Sequence, residues 1–63
     1  MSEGEAIRKI VEDLYTQWLE LGKVYEAAPT EYNRGKFYSF RKAHSIAEEI
    51  LKKYEKEHKN EAS

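Results

Sequence analysis

Residues 7–30 read IRKIVEDLYTQWLELGKVYEAAPT, and this stretch decides the fold. Ile7, Val11, Leu14, Trp18, Leu21, Tyr25 and Ala28 recur at alternating spacings of four and three residues, the rhythm that holds one apolar seam along one side of a helix. A strand needs alternation every second residue, which is absent. Pro29 is the only proline, and it disfavours helical geometry in the residue before it, so the first helix stops near Ala27 or Ala28. Beyond it, Phe40, Ala43, Ala47, Ile50 and Tyr54 are spaced three, four, three and four and predict a second amphipathic helix.

The helix ends have local causes. Ser2-Glu3-Gly4-Glu5 is a capping box, with the Ser2 hydroxyl placed to accept from the Glu5 amide. Thr30 is the expected cap of the second helix, with Glu31 at the positive end of its dipole and Asn33 as a rival cap. Glu48 with Lys52, Glu49 with Lys53 and Glu55 with Lys59 stand at the supporting i, i+4 spacing. The reading is one domain over 1–63: a helix over about 3–27, a hinge at about 28–30, a helix over about 31–58 and a fraying tail at 59–63.

So short a hinge makes the helices antiparallel neighbours. Trp18 is then expected against Phe40, Val11 against Ala47, and Gly22 against Gly35 in a close backbone approach. The predicted fold is all-α, an antiparallel two-helix hairpin. A chain of 63 residues without cysteine has neither the length for a generous core nor disulfides to replace one, which leaves oligomerisation as the natural stabiliser. Ile10, Tyr15, Leu19 and Val24 flank the first stripe, and Phe37, Ile46 and Leu51 flank the second. These seven are the candidate dimer interface, and the expected product is a homodimeric four-helix bundle.

Charge is unevenly shared. Residues 1–31 hold three cations against seven acids, whereas residues 32–63 hold eight cations against five acids. Opposite signs on the two halves favour packing of one against the other. The sharpest local feature is residues 32–47, with four cations, four aromatics and no carboxylate. On a helix this stretch turns Arg34, Tyr38, Arg41 and Ser45 outward, and with Lys42 they form the candidate partner-binding face.

Catalytic chemistry is not expected. Ser39, Ser45, His44 and Glu48 lie on successive helix positions that do not converge on one point, and no oxyanion-stabilising loop accompanies them. His44 and Glu48 have a two-ligand metal spacing, but two ligands are too few for a zinc site. Gly4, Gly22 and Gly35 are isolated and make no phosphate loop. No metal, cofactor or small-molecule substrate is therefore expected. No apolar run approaches a membrane span, and the N-terminus is acidic where a signal peptide would be basic; the chain reads as soluble, unprocessed and cytoplasmic.

In length and hairpin pattern the chain resembles the RNA-binding four-helix bundle that controls plasmid copy number. The resemblance is architectural, and no functional position is carried over from it. A short cysteine-free hairpin is also of the kind that phages and mobile elements encode as host-directed regulators. The function expected is a non-enzymatic protein–protein interaction module, a regulator, inhibitor or adaptor working through an exposed helix face. Tyr15 and Leu19 add an apolar edge to that face. Two alternatives stand beside it: an RNA- or DNA-binding regulator using the basic-aromatic face, and a purely structural oligomerisation module.

Overall fold

The computed structural model describes residues 2–58. It consists of two helices, α1 (Glu3–Ala27) and α2 (Glu31–Glu57), packed side by side as an antiparallel hairpin with no strand among the described residues. The expected fraying of residues 59–63 and the Glu55 to Lys59 pair fall outside the described residues.

Helix α1 starts where its cap supplies an acceptor. Ser2 is extended (φ −74°, ψ 164°), and its hydroxyl accepts from the Glu5 amide at 3.1 Å. Ala28 closes the helix by donating its N–H to Val24 O at 2.9 Å. The chain then reverses in a three-residue turn about Pro29, with Thr30 N–H donating to Ala28 O at 2.8 Å. Thr30 caps α2, its Oγ1 accepting from the Asn33 amide at 3.1 Å. Asn33, the rival cap, does a different job: its Nδ2 donates to Ala28 O at 2.9 Å. The Ala28 carbonyl thus ties the end of α1 to the first turn of α2, and the hinge angle is set by hydrogen bonds as well as by the proline ring.

The seam on α1 is Ile7, Val11, Leu14, Trp18, Leu21 and Tyr25, all half-buried. On α2 it runs through Asn33, Phe37, Phe40, His44, Ala47, Leu51 and Tyr54. This differs from the expected line, because Ile50 is 54% exposed while Phe37, His44 and Leu51 turn inward. The cause lies in two glycines of α1. A Cβ at Gly22 would stand 3.0 Å from Phe37 Cε1, and one at Gly4 would stand 3.0 Å from Tyr54 Cε1. These positions are five turns apart on one side of α1, and each is a notch that admits a ring from α2. Tyr54 belongs to either line, so the notch at Gly22 is the one that distinguishes them, and α2 turns to present Phe37 to it. The expected pairing of Gly22 with Gly35 is not formed, since Gly35 has nothing near its missing Cβ.

Ion pairing between the two helices adds little. Arg8 meets Glu55 at 3.1 Å, but both side chains are about half exposed, and such pairs contribute at most about 1 kcal/mol. The pairs within helices are Lys9–Asp13, Glu20–Lys23 and Glu49–Lys52.

No described residue is fully buried. The accessible surface is 5155 Å², against about 4,200 Å² for a compact monomer of this mass. The hairpin alone leaves its apolar side chains half in water.

The two kinds of glycine predict opposite responses to alanine. Gly35→Ala gains helix propensity in open space and is expected to raise stability by ~1 kcal/mol, or about 4–8 °C in Tm. Gly22→Ala collides with a ring wedged among other aromatics and is expected to lower Tm despite the same gain in propensity. Thermal unfolding followed by circular dichroism compares them directly, and a rise in both would remove the notch account.

Candidate interaction surface

The hairpin has two broad sides, and the contacts across the seam tell them apart. On one side Arg8 reaches Glu55, Tyr15 lies 5.4 Å from the His44 ring, and Phe37 fills the notch at Gly22. On the other, Gln17 and Leu21 share a shallow groove with Lys36 and Phe40. Residues seven apart stack in one row along a packed helix. The first side therefore carries Arg8, Tyr15 and Gly22 from α1 with Arg34, Arg41, Glu48 and Glu55 from α2. The second carries Ile10, Gln17 and Val24 with Lys36, Ala43 and Ile50.

The first side is aromatic and charged. Trp18 is its hub, stacked on His44 (ring centroids 5.7 Å, interplanar angle 27°) and set against Phe37 (5.9 Å) and the edge of Tyr15 (5.9 Å). Phe37 continues the chain of rings to Tyr25 (5.9 Å) and, edge on, to Tyr38 (5.1 Å). Tyr38 is 44% exposed and lies under the Arg34 guanidinium, whose carbon is 5.7 Å from its ring centre. An exposed Tyr is thus positioned by a ring on one edge and a cation on its face. Phe37 also lines, with Leu19, Gly22, Tyr25 and Pro29, an open apolar hollow rimmed by Glu20, Lys23 and Glu26.

The second side is mostly aliphatic. Ile10, Val24, Ile46 and Ile50 are each about half exposed, and Ala43 sits among them at the seam's edge, while at its hinge end Tyr32 is 73% exposed and its ring centre lies 5.3 Å from the Lys36 ammonium.

The expected site residues distribute accordingly. Arg34, Tyr38, Arg41 and Ser45 are exposed and share the aromatic side. Lys42 lies apart from Arg34, Tyr38 and Arg41 on the back of α2, where it and Ser45 border a hollow with Ile46, Glu49, Ile50 and Lys53. Of the seven apolar flanking residues, Ile10, Val24 and Ile46 are on the aliphatic side, Tyr15 and Leu19 are on the aromatic side, and Phe37 and Leu51 are half-buried in the seam. Gln17, Ala43 and Ile50 also lie on the aliphatic side and were not among the expected interface residues, Ala43 and Ile50 having been expected in the seam. Their signal was available in the sequence as two seven-residue rows, Ile10-Gln17-Val24 and Lys36-Ala43-Ile50.

His44 is engaged in the aromatic stack. Among the described residues no group of three or more His, Cys, Asp or Glu side chains gathers where it would hold a metal ion. No described helix is long and apolar enough to cross a membrane. Comparison with protein-family models, curated proteins and solved structures finds no match to this chain.

One polar atom in the aromatic hub is unsatisfied: Trp18 Nε1 is shielded from water and has no hydrogen-bond partner, at a cost on the order of 1–3 kcal/mol. Trp18→Phe removes that donor while keeping a ring in the stack, and is expected to cost less than about 1.5 kcal/mol. Trp18→Ala removes the hub and is expected to cost about 3 kcal/mol or more. Urea titrations of the two variants measure the difference, and equal losses would show that the ring contacts are not what the position contributes.

Proposed function

We propose that this chain is a non-enzymatic protein–protein interaction module, a homodimeric helical bundle of the regulator, inhibitor or adaptor kind. It uses the aromatic and charged side of each hairpin to hold another protein. The observation that carries this reading is the fixed exposure of Tyr38, held between the Phe37 edge and Arg34, with the same Phe37 ring lining an apolar hollow. Tyr and Arg are the side chains most favoured as interface anchors, since each brings large contact area with few rotatable bonds per contact. Tyr15 and Leu19 extend the same surface across α1, and Arg41 and Ser45 extend it along α2. The lack of cysteine suits a reducing, cytoplasmic setting.

Nucleic acid is the competing partner, because cations around an exposed ring suit phosphates and an unpaired base. Against it stands the mixed sign of the surface. Glu48 and Glu55 continue the row of Arg34 and Arg41, and Glu26 rims the hollow, so a polyanion would meet carboxylates along the same track. A protein surface of mixed charge pairs with both signs. A purely structural role as an oligomerisation module would leave Tyr38 without a partner.

Capture from native lysate, with and without nuclease, separates these readings. Wild-type protein is expected to retain a nuclease-resistant protein band. Tyr38→Ala is expected to weaken that capture at least tenfold, while a change from 50 to 200 mM salt has a smaller effect. Nucleic acid recovered alone, with binding that collapses over that salt range and is weakened by Arg34→Ala with Arg41→Ala, would overturn the proposal in favour of a nucleic-acid surface.

A further inference from the structure

We infer that the aliphatic side of the hairpin is covered by a second copy of this chain in one particular arrangement: α1 of each copy lies on α2 of the other, with both hinges at the same end of the bundle. This rests on the self-association proposed above and specifies its geometry.

The extent of the face fits a second copy. Helix α2 has 27 residues, or about 40 Å at 1.5 Å per residue, and the hairpin is 17 Å across its second dimension. A patch of that size gives each partner roughly the 800 Å² of a standard-size interface. Apolar residues occupy both ends, with Val24 towards the hinge and Ile10 and Ile50 towards the open end, so a partner of the same length engages the whole of it.

Charge selects the arrangement. Two antiparallel helices can meet their own copies about a twofold axis in two ways. An axis across the helices sets α1 on α1 and α2 on α2, with hinges at opposite ends. An axis along the helices sets α1 on α2, with hinges together. Helix α1 holds three cations (Arg8, Lys9, Lys23) against six acids, and α2 holds seven cations against five acids. The first arrangement stacks the acidic helix on itself. The second surrounds every helix with neighbours of opposite sign, at no cost in apolar burial. Side-chain size agrees with it. Gln17 and Ala43 are the middle members of the two rows, and the second arrangement sets the long Gln17 of one copy over the short Ala43 of the other, large against small. The first sets Gln17 against Gln17 and Ala43 against Ala43, crowding one level and leaving the other loose.

The consequence for function is bivalence. Once the aliphatic sides meet, both aromatic sides face outward on opposite flanks of the bundle, so one dimer holds two partner molecules.

The absence of cysteine makes the test direct. Gln17→Cys and Ala43→Cys proteins, each with wild-type helicity, are mixed in equal amounts, equilibrated and briefly oxidised, with Lys23→Cys as a collision control. Intact mass then counts each disulfide-linked species. The mixed Gln17→Cys/Ala43→Cys dimer is expected to exceed the two like-with-like dimers together by at least threefold. Like-with-like dimers in the majority would overturn the arrangement and leave self-association standing. Cross-linking no faster than the control would overturn both.

Discussion

Two helices share one seam, and a seam hides only the inner stripe of each. That constraint governs this molecule, because both helices carry apolar side chains well beyond the stripe. The hairpin closes around Trp18, Phe37, His44 and their neighbours, yet no described residue is fully buried. Ring contacts and propensity hold α1 against α2, but they do not make a core of the kind that stabilises a larger domain. What remains exposed is unevenly divided, with most of the exposed aliphatic side chains on one side and the Trp18-centred rings and the arginines on the other. A chain that needed only to be covered would have no reason for that division. The proposed pairing with a second copy on one side and with a different protein on the other would account for it.

Much of this was legible in the sequence because it depends on local rules. Ser2 and Thr30 act as caps because their hydroxyls stand three residues before an amide that a helix would leave unpaired. Pro29 ends α1 because of sterics that need no tertiary context. The line of the α2 seam was not fixed by such rules. Two overlapping tracks share Phe40, Ala47 and Tyr54; one adds Ala43 and Ile50, the other Phe37, His44 and Leu51. Spacing alone prefers neither. The choice is made by α1, where the missing side chain at Gly22 leaves room for the Phe37 ring and Trp18 offers a face on which an imidazole stacks. Hydropathy places a histidine outside a core, but a histidine stacked on an indole fills the seam as an aromatic would.

The candidate surface was legible in part for the same reason. Arg34, Tyr38, Arg41 and Ser45 are close enough along one helix for sequence periodicity to group them. Separating Ile10 and Val24 from Tyr15 and Leu19, all four of which flank the first stripe, requires knowing which edge of α1 adjoins which edge of α2. That is tertiary information, supplied by the Arg8–Glu55 contact and by the groove between Gln17, Leu21, Lys36 and Phe40.

The central claim is that the hairpin obtains its stability from a second copy. The dependence of melting temperature on protein concentration tests it most directly, because an unfolding equilibrium that also dissociates a dimer shifts with mass action. From 1 μM to 1 mM the midpoint is expected to rise by several degrees, with circular dichroism at 222 nm falling in a single cooperative step at every concentration. A midpoint constant across that range, with the same cooperative step, would mean that the hairpin is stable alone and would contradict the account.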